Sequence, residues 1–185
     1  MMRTFLIGGA RSGKSSLATR WALERSQHVC CLVTAVVARP GAEADAEMAA
    51  RIAAHRRERP SHWRVREEPV RLGAALREES ASGALLLVDC LTLWVANCLW
   101  PAEVESPDLT GWARESAQLT DALKECRTEV ILVSDEVGCG IVPANGASRV
   151  FRDAQGWINQ QVAAECDAVF LVSAGLPLRL KPSSR

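Results

Sequence analysis

The chain has 185 residues, 48% of them hydrophobic, and its 22 basic side chains balance 22 acidic ones. That length suits one domain with a sizeable core, and a net charge of zero gives no bulk attraction to nucleic acid or to an anionic membrane. No apolar run approaches the roughly 20 residues that span a bilayer. Seven cysteines, an odd number with no C-x-x-C pair, argue against a zinc site or redox pair. With no signal peptide ahead of the first strand, they read as buried reduced thiols of a cytoplasmic protein.

Taken in order, strands and helices alternate. Thr4, Phe5, Leu6 and Ile7 form an apolar run suited to a buried strand, and Leu17, Trp21 and Leu23 then recur at helical spacing. Residues 29–35 read as a second buried strand, too continuously apolar for a solvated one. Arg39-Pro40-Gly41 breaks it, and residues 43–57 are alanine-rich and helical. A short strand is expected over 63–66, a helix over 70–79, a third strong strand over 84–89 and a helix through Trp94. Residues 103–110 read as a loop, with Ser106 as N-cap and Pro107 as first helical residue. The fourth strong strand covers 130–134, a helix 148–165 and the fifth strand 168–172. Gly175-Leu176-Pro177 then turns into a short edge strand over 178–180. The expected architecture is α/β, a mostly parallel sheet with crossover helices, in one domain over 1–181 followed by a frayed tail over 182–185. Ligands of such a sheet collect at the carboxyl ends of the strands.

One stretch carries chemistry outright. Gly8-Gly9-Ala10-Arg11-Ser12-Gly13-Lys14-Ser15 fits G-x-x-x-x-G-K-[ST], between a strand and a helix as that pattern requires. Backbone N–H groups and the helix dipole converge on a phosphate there, Lys14 adds a full charge for the β and γ phosphates, and the Ser15 hydroxyl suits Mg²⁺. The loop predicts binding of a nucleoside triphosphate. Asp89 closes the third strong strand, where the acidic partner of such a loop is presented to Mg²⁺. A second reading, a cap for the helix beginning at Cys90, stays open. Asp135-Glu136 after the fourth strand are either a further acidic pair of the site or a surface turn.

Two other helices concentrate unusual residues. Glu47, Arg51 and His55 share one helical face, and His55 is followed by Arg56, Arg57 and Arg59. Such a cluster can neutralise a triphosphate, and its guanidinium groups would keep the imidazole neutral and nucleophilic. A solvated basic helix end is the alternative. His28 and His62 lack this context and read as surface residues. Further on, Val150, Phe151, Ala154, Trp157 and Ile158 form an apolar stripe, and Arg149, Arg152, Asp153, Gly156 and Asn159 a polar one. Gly156 suggests close approach of a ligand or chain, or else simple helix packing. The loop over 136–143 mixes glycines with apolar residues, as one contacting a large substrate would, or as ordinary packing would.

The same residues resemble the bifunctional adenosylcobinamide kinase / adenosylcobinamide-phosphate guanylyltransferase family. The likeness runs from the Gly8 to Ser15 loop through Glu47-Met48, Arg51-Ile52, His55-Arg56, Arg59-Pro60 and Trp63 to Asp89-Cys90-Leu91-Thr92-Leu93-Trp94 and Asn97. It continues in Asp135-Glu136-Val137-Gly138, Gly140-Ile141-Val142-Pro143, Arg149, Phe151-Arg152-Asp153, Gly156, Asn159-Gln160 and Gly175-Leu176-Pro177. Two departures are a longer loop over 38–44 and an aspartate at 135, where the family commonly has asparagine.

That resemblance implies a RecA-like P-loop NTPase fold and two reactions of cobalamin assembly. A nucleoside triphosphate, ATP or GTP, phosphorylates adenosylcobinamide with Mg²⁺, and GTP then guanylylates the product through a histidine matching His55. It also implies a homotrimer, and nucleotide contacts at residues 8–15, Val33, Thr34, Ala35, Arg56, Arg57, Glu58, Arg59, Glu67 and Asp89. Guanine preference has no N-K-x-D motif behind it and rests on the resemblance. Two rivals stand beside this reading: a kinase alone, and a nucleotide-binding regulatory module, against which the balanced charge weighs.

Overall fold

A computed structural model of the chain describes residues 1–35, 50, 53, 57, 59–101, 104 and 106–181. Seven strands, β1 (Arg3–Gly8), β2 (Val29–Val33), β3 (Arg64–Glu67), β4 (Leu85–Asp89), β5 (Val130–Asp135), β6 (Ala168–Ser173) and β7 (Leu176–Lys181), form one sheet ordered β3-β2-β4-β5-β1-β6-β7. Every neighbouring pair is parallel except β6 with β7. Among the described residues the helices are α1 (Lys14–Arg25), α2 (Leu72–Ser80), α3 (Leu91–Leu99), α4 (Leu109–Glu125) and α5 (Gly146–Glu165). The expected α/β class, with a mostly parallel sheet and flanking helices, is the observed one. Of the helix expected over 43–57, positions 50, 53 and 57 are described, each helical. The 38–44 loop and the 182–185 tail lie outside the described residues.

Both faces of the sheet are buried, which is why its central strands are apolar without alternation. Phe5, Leu32, Leu86, Val88 and Leu132 face one core with Leu72, Leu76, Trp94, Leu119 and Ile158 of the four later helices. Leu6, Cys31, Leu87, Ile131 and Val133 face the other with Leu17, Ala18 and Ala22 of α1 and with Trp63. The adjacent thiols of Cys30 and Cys31 therefore point to opposite cores. Burial pushes Cys31, Cys98 and Cys166 up to about 12 and Cys90 to about 11. At neutral pH these thiols stay protonated and unreactive.

The sheet ends are fastened by charge. Arg3 at the start of β1 donates from its backbone N (2.7 Å) and its guanidinium (3.1 Å) to Asp167 just ahead of β6, and those bonds hold the Asp167 carboxyl below the usual carboxylate range. On edge strand β3, Arg64 and Arg66 both reach Glu79 of α2. Lys181 of β7 donates to the carbonyls of Ala163 (3.0 Å) and Ala164 (2.9 Å), closing the C-terminal end of α5. The outer edge β7 leaves Leu176, Leu178 and Leu180 exposed.

Two local expectations change. The cap of α4 is Asp108, whose carboxylate accepts from Gly111 N at 2.8 Å; Ser106 and Pro107 precede it. Aspartate caps as well as serine does, and it is Asp108 that stands three residues before the orphan N–H of Gly111. On α5, Asn159 leaves the polar stripe to become buried against β5, while Trp157 leaves the apolar one and is exposed, tilted against Trp112 with ring centroids 5.9 Å apart.

Helices α2 and α4 cross at Gly73, where a Cβ would stand 2.6 Å from the Gln118 carbonyl oxygen and 2.8 Å from Leu119 N. Backbone cannot yield there as a flexible side-chain tip would. Gly73→Ala should cost about 1–3 kcal/mol of stability in chemical denaturation. Undiminished stability would show that the two helices separate freely.

Candidate active site

The carboxyl ends of five adjacent strands bring the predicted residues to one edge of the sheet. Register pairs Glu67 with Val33, Val33 with Asp89, and Gly8 with Asp135. The phosphate loop leaves β1 at Gly8 and enters α1 at Lys14, with Gly13 as N-cap in the left-handed region at φ 92°. No acidic residue occupies the first turn of α1, so nothing there competes with a phosphate for the helix dipole. Gly9, Ala10 and Arg11 are exposed, and Ser12 Oγ is buried with no hydrogen-bond partner among the described residues.

Lys14 is 8% exposed. Its ammonium donates to Gly9 O at 3.1 Å and pairs with the Asp135 carboxylate. Of the two open readings of 135–136, Asp135 thus belongs to the site, while the Glu136 carboxylate accepts from Gly138 N in its own turn. Asp135 is held through its backbone, its N donating to Thr92 Oγ1 (2.8 Å) and its O accepting from Asn159 Nδ2 (3.1 Å). Asn159 is fixed in turn by Ser134 Oγ at 2.7 Å and Gln155 Nε2 at 3.0 Å. All three of these polar side chains are buried and bonded to one another, though Gln155 Oε1 has no hydrogen-bond partner among the described residues.

Asp89 is no helix cap. Helix α3 is capped at Cys90 with no side-chain cap bond, and the Asp89 carboxylate turns into the site instead. Oδ1 accepts from Ser15 Oγ at 3.4 Å and Oδ2 from the Arg59 guanidinium at 2.8 Å, with both side chains of the Arg59 pair largely shielded. Ser15 and Asp89 thus present a hydroxyl and a carboxylate oxygen close together, donors suited to a hard cation that keeps its remaining positions for water and phosphate.

Among the other predicted contacts, Val33 and Thr34 are buried, Ala35 is half-buried, and Arg57 and Glu67 are exposed. His55, Arg56 and Glu58 lie outside the described residues. His28 and His62 are exposed, as expected. Among the described residues, a Cβ at Gly156 would meet nothing within 4 Å, so none of them accounts for that glycine by packing. Arg149 turns back onto the preceding loop, donating to Pro143 O (2.8 Å) and Ala144 O (2.6 Å). Sequence reasoning missed the pairing of Arg59 with Asp89 and the buried links through Thr34, Thr92 and Asn97. The one available signal was a polar residue directly after, or packed against, an apolar strand.

Strand β5 lies between the loop strand β1 and the Asp89 strand β4, the arrangement of a RecA-like P-loop NTPase fold. The flagellar accessory protein FlaH from Methanocaldococcus jannaschii shares this fold at TM-score 0.53 and 11% identity, over 98% of this chain and 79% of that one. The family model for cobinamide kinase / cobinamide phosphate guanyltransferase matches residues 4–180. The bifunctional adenosylcobalamin biosynthesis protein CobP of Pseudomonas aeruginosa is 45% identical over 180 residues, 97% of this chain and 98% of its own length. CobU of Salmonella typhimurium, of the same description, is 36% identical over 97% of this chain and 100% of its own. The two rival readings, a kinase alone and a module without chemistry, give way to these matches. The chain belongs to the cobinamide kinase / cobinamide phosphate guanyltransferase family, enzymes of cobalamin biosynthesis with two activities.

Proposed function

We propose that the enzyme phosphorylates the aminopropanol hydroxyl of adenosylcobinamide with ATP or GTP at the loop over residues 8–15. It then moves a guanylyl group from GTP onto that phosphate through His55, giving adenosylcobinamide-GDP and pyrophosphate. The observation that carries this reading is the convergence of Lys14, Ser15, Asp89 and Arg59 at one end of the sheet. Ser15 and Asp89 would hold Mg²⁺, which would supply positive charge beside the phosphates. Lys14 and Arg59 orient the triphosphate. In the second reaction the neutral imidazole of His55 attacks the α-phosphorus and the bond to the β-phosphate breaks, releasing pyrophosphate. The cobinamide phosphate oxygen then attacks the same phosphorus, and the P–N bond breaks to restore the histidine.

Assembly as a homotrimer is part of the same reading. Its support is the apolar row Leu176, Leu178 and Leu180 left open on edge strand β7, a feature monomers seldom leave uncovered. The cytoplasm is the compartment that fits seven free thiols. No described helix is long and apolar enough to cross a membrane.

Two measurements test the assignment. Lys14→Ala should lower the rate of cobinamide phosphorylation by about 100-fold or more, the scale of one preorganised electrostatic contact. A folded variant with near-normal kinase activity would take the loop out of the chemistry. His55→Ala should abolish covalent labelling by α-phosphate-labelled GTP while leaving measurable kinase activity, since γ-phosphoryl transfer to a hydroxyl needs no nitrogen nucleophile. The wild-type label should be lost in acid and survive alkali, as a phosphoramidate does. Acid-stable label, or label undiminished in the variant, would move the nucleophile elsewhere.

A further inference from the structure

The end of β2 does something that nucleotide contact does not explain. Thr34 is fully buried, 0% exposed, directly after the last residue of β2. Its hydroxyl donates to Cys90 O at 2.6 Å and accepts from Cys90 N at 3.2 Å. Its backbone N donates to Asp89 O at 3.4 Å, and its backbone O accepts from Asn97 Nδ2 of α3 at 2.8 Å. Asn97 also donates to Pro69 O at 3.1 Å, tying the same point to the connection between β3 and α2. A threonine has one hydroxyl proton and one amide proton, and both are spent on residues 89 and 90. Neither donor remains for a phosphate.

We infer that Thr34 is a positioning residue for Asp89. It clasps the Asp89–Cys90 peptide from both sides and so fixes where the carboxylate stands. The amide that follows Asp89 is held by the hydroxyl, and the carbonyl of Asp89 by the Thr34 amide. With the peptide fixed, the Cα–Cβ bond of Asp89 is aimed into the site, and the carboxylate it carries is held there with Oδ1 accepting from Ser15 and Oδ2 from Arg59. The same hydroxyl steadies Cys90 O, which accepts from Trp94 N at 3.4 Å to begin α3. The proposal rests on reading Asp89 as the metal ligand. It assigns Thr34 a role through that ligand: partners one shell out from a metal commonly change its affinity about 10–100-fold.

The test uses the full chain with α,β-methylene GTP, which cannot lose its guanylyl group, and Mn²⁺ as a paramagnetic probe. Thr34→Val keeps the shape and removes both hydroxyl bonds. It should weaken Mn²⁺ binding to the enzyme–nucleotide complex about 10-fold, read by electron paramagnetic resonance. Affinity for the nucleotide without divalent metal should stay within about twofold, since no phosphate contact is lost. Thr34→Ser, which keeps the hydroxyl, should restore most of the Mn²⁺ affinity. Thr34→Ala is measured alongside, so that a valine variant that fails to fold does not end the test; the same shift is expected. In an Asp89→Asn background, Thr34→Val should add no further loss, because coupled residues are non-additive.

Equal losses of nucleotide affinity with and without metal would overturn the proposal, as would additive effects in the double variant. If Asp89→Asn weakens Mn²⁺ binding and neither Thr34→Val nor Thr34→Ala does, the role of Thr34 falls and that of Asp89 stands. If Asp89→Asn itself leaves Mn²⁺ binding unchanged, both fall together.

Discussion

A side chain cannot begin at Gly8. Its Cβ would stand 2.4 Å from the carbonyl oxygen of Val172 and 2.8 Å from Ser12 Oγ. That close approach of β6 to the end of β1 sets the whole site, because the phosphate loop starts from a point fixed by backbone on its neighbouring strand. The second contact repeats the principle. Gly13 takes a positive φ with its missing Cβ facing Gly175 at 3.1 Å, and Gly175 N donates to Ser12 O at 2.8 Å. The turn between β6 and β7 is thus a wall of the loop, and Lys14 enters α1 already aimed along the sheet edge. Glu136 N donates to Gly8 O at 3.0 Å from the other side, so β5 and β6 together hold the loop's origin.

Charge is arranged on that frame in two pairs. Lys14 pairs with Asp135 at the end of β5, and Arg59 with Asp89 at the end of the adjacent β4. Each cation is largely shielded from water, and a shielded charge without a partner is strongly destabilising. The pairs therefore keep these cations compensated, and they also define what a nucleotide binding here would compete with. In the proposed function a triphosphate would offer Lys14 and Arg59 new anionic partners, and a divalent cation would offer Asp89 a new positive one. On that reading, binding would be an exchange of partners within a shielded site. Its strength would be the difference between two sets of ion pairs, which is smaller than the new set alone.

Much of this was legible in the sequence, for a physical reason. Buried parallel strands are apolar on both faces, so β1, β2, β4, β5 and β6 announce themselves without alternation, and the loop pattern carries its own geometry. What could not be read was where polar side chains point once helices dock. Asn159 sits three residues from Gly156 and reads as part of a polar stripe, yet it is drawn inward by Ser134 and by the carbonyl of Asp135. Trp157 reads as core and is displaced outward on the same helix. Thr34 and Asn97 could each be singled out by resemblance, but the bond between them could not, since it exists only because the end of β2 and α3 meet in space. Arg59 was legible as a cation for phosphate, whereas its pairing with Asp89 depends on a contact across 30 positions of chain.

Position 135 shows how the frame and the charge are kept apart. Its backbone N and O are committed to Thr92 and Asn159, and neither bond involves the side chain. An asparagine, common here by resemblance to the family, would leave both bonds intact and keep the end of β5 where it is. Only the charge facing Lys14 would change. With aspartate, the ammonium has a full anionic partner besides Gly9 O; with asparagine it would face a neutral amide. The geometry that delivers Lys14 is thus independent of the group that neutralises it. The electrostatic balance of the loop can shift at this one side chain without the sheet, the loop or the helix moving.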